Sequence, residues 1–273
     1  MKKKMFLRMP QFLSYLFPLL FIVLFTSCEK DTYVYPVEPA DLHFKPDKAK
    51  KDKVNTFYGP AVPMGKGRIQ ALVEMTHSGI PQAIGVRFSE KVLEGLPHHM
   101  EGITLRLPNK ASGLAFDHID FGWNPEGHEP PGVYDLPHFD LHFYLISVEE
   151  KMQITNGNLA EILPRGEYIP QFYVPTPGFV PMMGKHWINV LSNEAQGKMF
   201  DQTFIYGSYN GEFIFYEPMI TTAYLMEKTS KEYNISQPQM FAQTGYYYPT
   251  KYSINYDSTK KEYTVLLYGM VLR

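Results

Sequence analysis

Pro137-His138-Phe139-Asp140-Leu141-His142-Phe143-Tyr144 alternates ionisable and apolar side chains with a period of two. That period belongs to a β-strand, whose successive side chains point to opposite faces. It puts His138, Asp140 and His142 on one face and Phe139, Leu141 and Phe143 on the other. Three ionisable groups backed by a buried face are costly unless they are solvated, hydrogen-bonded to one another or bound to a cation. Spacing limits the last option. Residues two apart on a strand lie roughly 6.6 Å apart and residues four apart about 13 Å. One straight strand therefore gives only one of its two histidines, with Asp140, to any single ion. A bulge or a helical segment would bring both histidines together, but Pro137 and the alternation favour a strand.

Working outward, the chain of 273 residues holds 20 Tyr, 19 Phe and 22 Pro, with many short apolar runs and few helical periods. The expectation is a mainly β fold, a β-rich α+β domain built as an antiparallel sheet or a barrel-like closure with a few short helices. Strands are expected at Ile69–Met75, Ala83–Phe88, Ile103–Leu107, His138–Ile146, Gln171–Val174, His186–Leu191, Thr203–Tyr206, Glu212–Tyr216 and Tyr263–Leu272. Ser89 is expected to cap a helix over Glu90–Leu96, and Thr221 or Thr222 a second over Ala223–Lys228. Asn210-Gly211, between two expected strands, signals a hairpin, because both residues tolerate positive φ.

Further donors for a site on the His138 strand must come from elsewhere. His186 follows a turn at the start of an apolar strand, and Glu217 closes another. The candidate metal set is therefore His138, Asp140, His142, His186 and Glu217, holding one divalent metal, with zinc the ion that imidazole and carboxylate suit best. The competing reading is a metal-free network in which Asp140 orients the histidines. His128 reads first as a turn residue held by Gly127 and Pro130, with a metal ligand or a hydrogen-bond donor to a ligand as the alternatives. His43, His77, His98 and His99 carry no site assignment. The Pro181-x-x-Gly184-x-His186-x-x-Asn189 spacing is similar to the second metal motif of cupins, although His138 and Asp140 stand where the first cupin motif has two histidines. No Gly-x-Ser-x-Gly elbow, phosphate-binding loop or His-Glu-x-x-His helix is present, and no catalytic residue is assigned. In an enzyme version, metal-bound water would be the nucleophile and a spare carboxylate the base. Tyr246-Tyr247-Tyr248 reads as a packed strand end or as a platform for stacking sugars.

The N-terminus resembles a bacterial lipoprotein signal peptide. Lys2, Lys3, Lys4 and Arg8 precede an uncharged stretch from Met9 to Phe25, and Thr26-Ser27 lead into Cys28, the only cysteine. An uncleaved N-terminal anchor is the alternative; a lone cysteine excludes an internal disulfide. The resemblance implies residues 1–27 as signal, Cys28 as a lipidated first residue, 28–55 as a tether and 56–273 as a single β-rich domain. Glu29-Lys30-Asp31 resembles a short export tag for outer-membrane lipoproteins, which implies an outer-membrane location on its periplasmic or surface face. Removing the four basic groups leaves 22 of 26 Lys and Arg against 28 Asp and Glu, a net charge near −6. That balance excludes nucleic-acid binding, which depends on neutralising phosphates.

Phe121-Gly122-Trp123-Asn124-Pro125-x-Gly127-His128-x-Pro130, His138-Phe-Asp-x-His142-Phe-Tyr, Met183-Gly-x-His186-Trp, Ile205-Tyr-Gly and Glu217-Pro-Met together resemble an uncharacterised family of exported bacterial proteins. Its structural prototype is a thermophile protein that forms a homodecamer under sigma-factor control. The resemblance covers about Pro60 to Leu225 and implies an architecture and homo-oligomerisation, without an activity. The expected function is a lipid-anchored envelope protein with a His/carboxylate site for a metal or small ligand. The alternatives are a non-catalytic surface module that binds glycan or protein through aromatics, and a structural oligomer.

Overall fold

The structure, a computed structural model, describes residues 53–273. The expected signal segment, Cys28 and the tether up to residue 52 lie outside the described residues. In chain order the strands are β1 (Val54–Tyr58), β2 (Val62–Met64), β3 (Gly67–Thr76), β4 (Pro81–Ser89), β5 (Glu101–Arg106), β6 (His118–Asn124), β7 (His138–Tyr144) and β8 (Tyr173–Pro175). They continue as β9 (Lys185–Asn189), β10 (Gln202–Tyr209), β11 (Glu212–Thr221), β12 (Lys231–Asn234), β13 (Tyr247–Tyr248), β14 (Lys251–Asp257), β15 (Glu262–Tyr268) and β16 (Val271–Leu272). Three short helices accompany them: α1 (Val148–Met152), α2 (Gly157–Ala160) and α3 (Thr222–Met226).

These strands form two open antiparallel sheets, so the fold is β-rich as expected and neither sheet closes into a barrel. One runs β1-β3-β4-β15-β14-β12, with β2 paired to β3. The other runs β5-β6-β7-β11-β10-β9-β8 and holds the alternating segment near its middle. A small pair, β13-β16, stands apart.

Apolar faces of the two sheets meet in one core. Phe88 of the first sheet packs against Phe121 (5.6 Å between ring centroids) and Phe139 (6.3 Å) of the second. Phe204 meets Tyr252 in the same way at 4.9 Å. Each such ring contributes on the order of 2 kcal/mol on burial, which fixes which face of β7 turns inward. A one-residue slip would exchange the phenylalanines for the histidines.

The other face of this sheet is unusual for a sandwich, because it too is covered. All seven residues of β7 are buried. Two small apolar clusters close over it: Tyr134, Phe200, Ile205 and Met219 at one end, and Tyr144, Ile154, Ile214 and Phe215 at the other. The cover consists of loop residues 125–137, the segment carrying α1 and α2, and residues around Phe200. It is fastened by polar contacts. A Ser147–Glu150 capping box starts α1, Lys151 reaches down to Asp120 at 2.5 Å, and Tyr144 Oη donates to the Met182 carbonyl at 3.2 Å. Gly207 lies beneath the Phe215 ring, where a Cβ would come within 2.0 Å of it. Its lack of a side chain lets that ring lie flat on the sheet.

Several expectations shift in detail. β1 begins at Val54, two residues inside the expected tether. The strand expected at Tyr263–Leu272 is two strands, β15 and β16. The helix expected over Glu90–Leu96 is a single 3-10 turn at Glu90–Leu93, and the Ser89 side chain makes no capping bond. Thr221 does cap α3, accepting from Tyr224 N at 3.1 Å. The Asn210-Gly211 hairpin forms as expected, with φ of 49° and 84°. β1, β2, β6, β12 and β14 have no counterpart among the expected strands.

Candidate functional site

Register places the polar residues of the covered face. β6 and β7 pair Asp120 with His142, Gly122 with Asp140 and Asn124 with His138. On the other side of β7, β11 puts Met219 opposite Asp140 and Thr221 opposite His138. The β7–β11 ladder skips Glu217 and Pro218, and Pro218 has no N–H to give to it. Glu217 thereby faces His142, with His142 Nε2 3.2 Å from Glu217 Oε1. His186 of β9 pairs with Gly207 of β10 and lays its ring against Phe215, 5.5 Å between centroids.

The five expected metal ligands all reach this face, but they do not form one site. Donor atoms of His142, His186 and Glu217 lie within 4.8 Å of one another. His138 and Asp140 belong to a second group of the same tightness, completed by His128. Strand geometry forces the division: His138 and His142 are four residues apart on an unbulged strand, so each serves a different group. The single five-residue set is corrected to two triads.

His128 sits in the turn expected of it and also joins the second group. The turn is what aims it. Gly127 adopts φ +75°, and a Cβ there would fall 1.9 Å from the Tyr134 carbonyl. This tight closure lets His128 N donate to Tyr134 O at 3.2 Å. The imidazole then projects over β7, with Nε2 3.4 Å from Asp140 Oδ2. The sequence signal was available in Gly127-His128 before a proline pair, but its partner lies across a loop and is invisible to local pattern.

The open triad of His128, His138 and Asp140 is defined by its hydrogen bonds. His138 Nδ1 lies 2.6 Å from the Leu136 carbonyl and its Nε2 3.1 Å from Asp140 Oδ1. His128 Nδ1 lies 2.8 Å from the Glu129 carbonyl. Asn124 Nδ2 donates to Asp140 Oδ2 at 2.7 Å and stands 3.4 Å from His138 Nε2. Burial alone would push the Asp140 carboxyl up, but the two imidazoles outweigh it and hold the group below the usual carboxylate range. Burial likewise works against His128, and Asp140 overcomes it to raise that imidazole. The His128 side chain is 31% exposed, which opens this triad to solvent.

The sealed triad differs. The His142 and Glu217 side chains are only 4% and 2% exposed, and His186 on β9 is the half-buried member. His142 Nε2 and Glu217 Oε2 are buried without a hydrogen-bond partner, so the 3.2 Å approach lacks hydrogen-bond geometry. Burial, followed by the neighbouring His142 and His128, pushes His186 down to about 3. Burial also lowers His142, against the pull of Asp140 and Asp120. Glu217 is raised well above its ordinary value by burial and by the Asp140 charge. A cation bound among these three side chains would displace the Glu217 proton.

Beside these groups, Asp120 and Lys151 form a mostly buried ion pair. Thr104 also donates to Asp120, at 2.7 Å. A surface depression lined by Thr104, Arg106, Asp117, His118 and Glu149 opens near this pair, and no triad residue lines it. Of the candidate aromatic platform, Tyr248 is buried, Tyr247 half-buried in β13 and Tyr246 exposed.

A family model described as TTHB210-like, "Hypothetical protein TTHB210", matches residues 76–123. Those 48 residues run from the end of β3 through most of β6 and stop before both triads. The match supports an uncharacterised family of that kind over this stretch. Neither the curated proteins nor the solved structures gave a match to the chain.

The Asp120–Lys151 pair yields a pH-dependent prediction. Burial pushes the Asp120 carboxyl up, and hydrogen bonds from Lys151 and Thr104 outweigh it and hold it low. A depressed carboxyl stabilises the fold above its unfolded pKa, about 3.9, and loses that contribution as pH falls through the folded value. Lys151→Met should cost about 1–3 kcal/mol in urea unfolding at pH 7, and the gap to wild type should narrow below about pH 4. A gap that stays constant into acid would show that the pair does not carry it.

Proposed function

We propose that this is an exported, lipid-anchored envelope protein whose β-sandwich binds a divalent metal at His142, His186 and Glu217, zinc being the ion this donor set suits best. The observation that carries the reading is the sealed triad itself. Two imidazoles and a carboxyl converge within 4.8 Å, and His142 Nε2 and Glu217 Oε2 are buried with no hydrogen-bond partner. Buried polar atoms are nearly always satisfied, and an ion is one of the few groups that can satisfy these together. Two histidines and one glutamate form a recurrent zinc ligand set that leaves a coordination position free. When bound, such a metal can polarise a small ligand or lower the pKa of water.

The protein's own residues support the metal in distinct ways. Phe215 braces His186 and His142, at 5.5 and 4.8 Å between centroids. Asp140 supplies a negative field from the neighbouring triad. The anchor part of the proposal rests on the N-terminal pattern ending at Cys28, since two acyl chains suffice for stable attachment.

Elemental analysis of the untagged full chain should find bound metal, with one equivalent fewer in His186→Ala and in Glu217→Gln than in wild type and both variants folded by circular dichroism. Metal content unchanged in both variants, or none after incubation with zinc, iron and manganese, would remove the site. For the anchor, Cys28→Ala should abolish labelling by a palmitate analogue and shift the protein from the membrane to the soluble fraction. Retention of label in that variant would disprove it.

A further inference from the structure

We infer that the same sheet face carries a second, independent metal centre at His128, His138 and Asp140, exchangeable through a part-exposed ligand on a loop, where the first takes all its ligands from strands. The inference extends the metal reading proposed above, but it uses none of the sealed triad's residues. Its donor atoms also lie within 4.8 Å of one another.

Imidazole orientation is the first argument. His138 and His128 each set Nδ1 against a backbone carbonyl, Leu136 at 2.6 Å and Glu129 at 2.8 Å. A carbonyl only accepts, so Nδ1 carries the proton in each ring, and a neutral ring then presents a lone pair at Nε2. The two Nε2 atoms lie 3.1 and 3.4 Å from the Asp140 carboxylate oxygens. In the free protein a second proton on His128 offsets the Asp140 charge, and a cation among the two Nε2 atoms and the carboxylate would take the place of that proton. Metal-ligating histidines characteristically donate their other N–H to a carbonyl or carboxylate in this way.

The carboxylate gives the second argument. Asn124 satisfies Asp140 Oδ2 at 2.7 Å, while Oδ1 is buried with no hydrogen-bond partner. One oxygen is thereby held by the protein, and the other is left for an ion. The third argument is access. His138 is wholly buried and the Asp140 side chain 9% exposed, but that of His128, on its loop, is 31% exposed. An ion here would have a rigid strand on one side and a solvent-facing ligand on the other. Three protein ligands leave a position for water or a small anion. β7 would thus serve two ions, with His138 and Asp140 turned to one and His142 to the other.

The test is zinc stoichiometry and release from the full chain, measured with a chromophoric chelator in the stopped-flow. Wild type should bind two equivalents, one released fast and one at least tenfold more slowly. His128→Ala, a change on a part-exposed loop residue, should lose the fast equivalent and keep the slow one, and Asp140→Asn should do the same without removing side-chain volume. His186→Ala should lose only the slow equivalent. A single equivalent, unaffected by His128→Ala and Asp140→Asn but lost in His186→Ala, would overturn the second centre and leave the first standing. A single equivalent lost in His128→Ala and Asp140→Asn but retained in His186→Ala would support the open centre and overturn the sealed one.

Discussion

Covering a sheet face that carries ionisable side chains is the constraint on which the rest of this structure depends. In most sandwiches the outward face of each sheet meets water, and polar residues there need no partner. Here loops and short helices close over β6, β7, β9 and β11, so His138, Asp140, His142 and Glu217 lose their hydration. A buried charge without compensation is far costlier than the net stability of a typical domain allows. Whatever compensates these groups must therefore be built into the fold, and the triads are where the compensation is concentrated.

Local devices hold the cover in position. Gly127 permits a loop closure that no side chain would allow, and that closure aims His128. Gly207 lets Phe215 lie against the sheet, and Phe215 in turn braces both His142 and His186. Lys151 reaches from α1 to Asp120 and ties the helical segment to β6. Lys185 does similar work at the other edge, donating to the carbonyls of Thr176 and Gly178 and pairing with Glu161. Each is a long-range contact whose local sequence gives little sign of it.

What could be read from the sequence follows the same division. The two-residue period of His138 to Tyr144 revealed the strand, its orientation and the rule that His138 and His142 cannot share an ion. His186 and Glu217 were legible as partners because each sits at the boundary of an apolar run. Their grouping was not, since it depends on the order of β7, β11, β10 and β9 across the sheet, and pairing order leaves no local periodicity. β6 went unrecognised although His118-Ile119-Asp120-Phe121 alternates as cleanly as β7. The covered outer face was hidden for a different reason. Nothing in an alternating strand says whether its polar side meets water or a lid.

The most direct test of the account is a crystal structure of the zinc-loaded protein with anomalous diffraction collected across the zinc edge. The account predicts anomalous density on the covered face, between His142, His186 and Glu217 and again between His128, His138 and Asp140, with imidazole nitrogens about 2.0–2.1 Å from each ion. A face without anomalous density, in which waters or direct hydrogen bonds join those side chains, would contradict it.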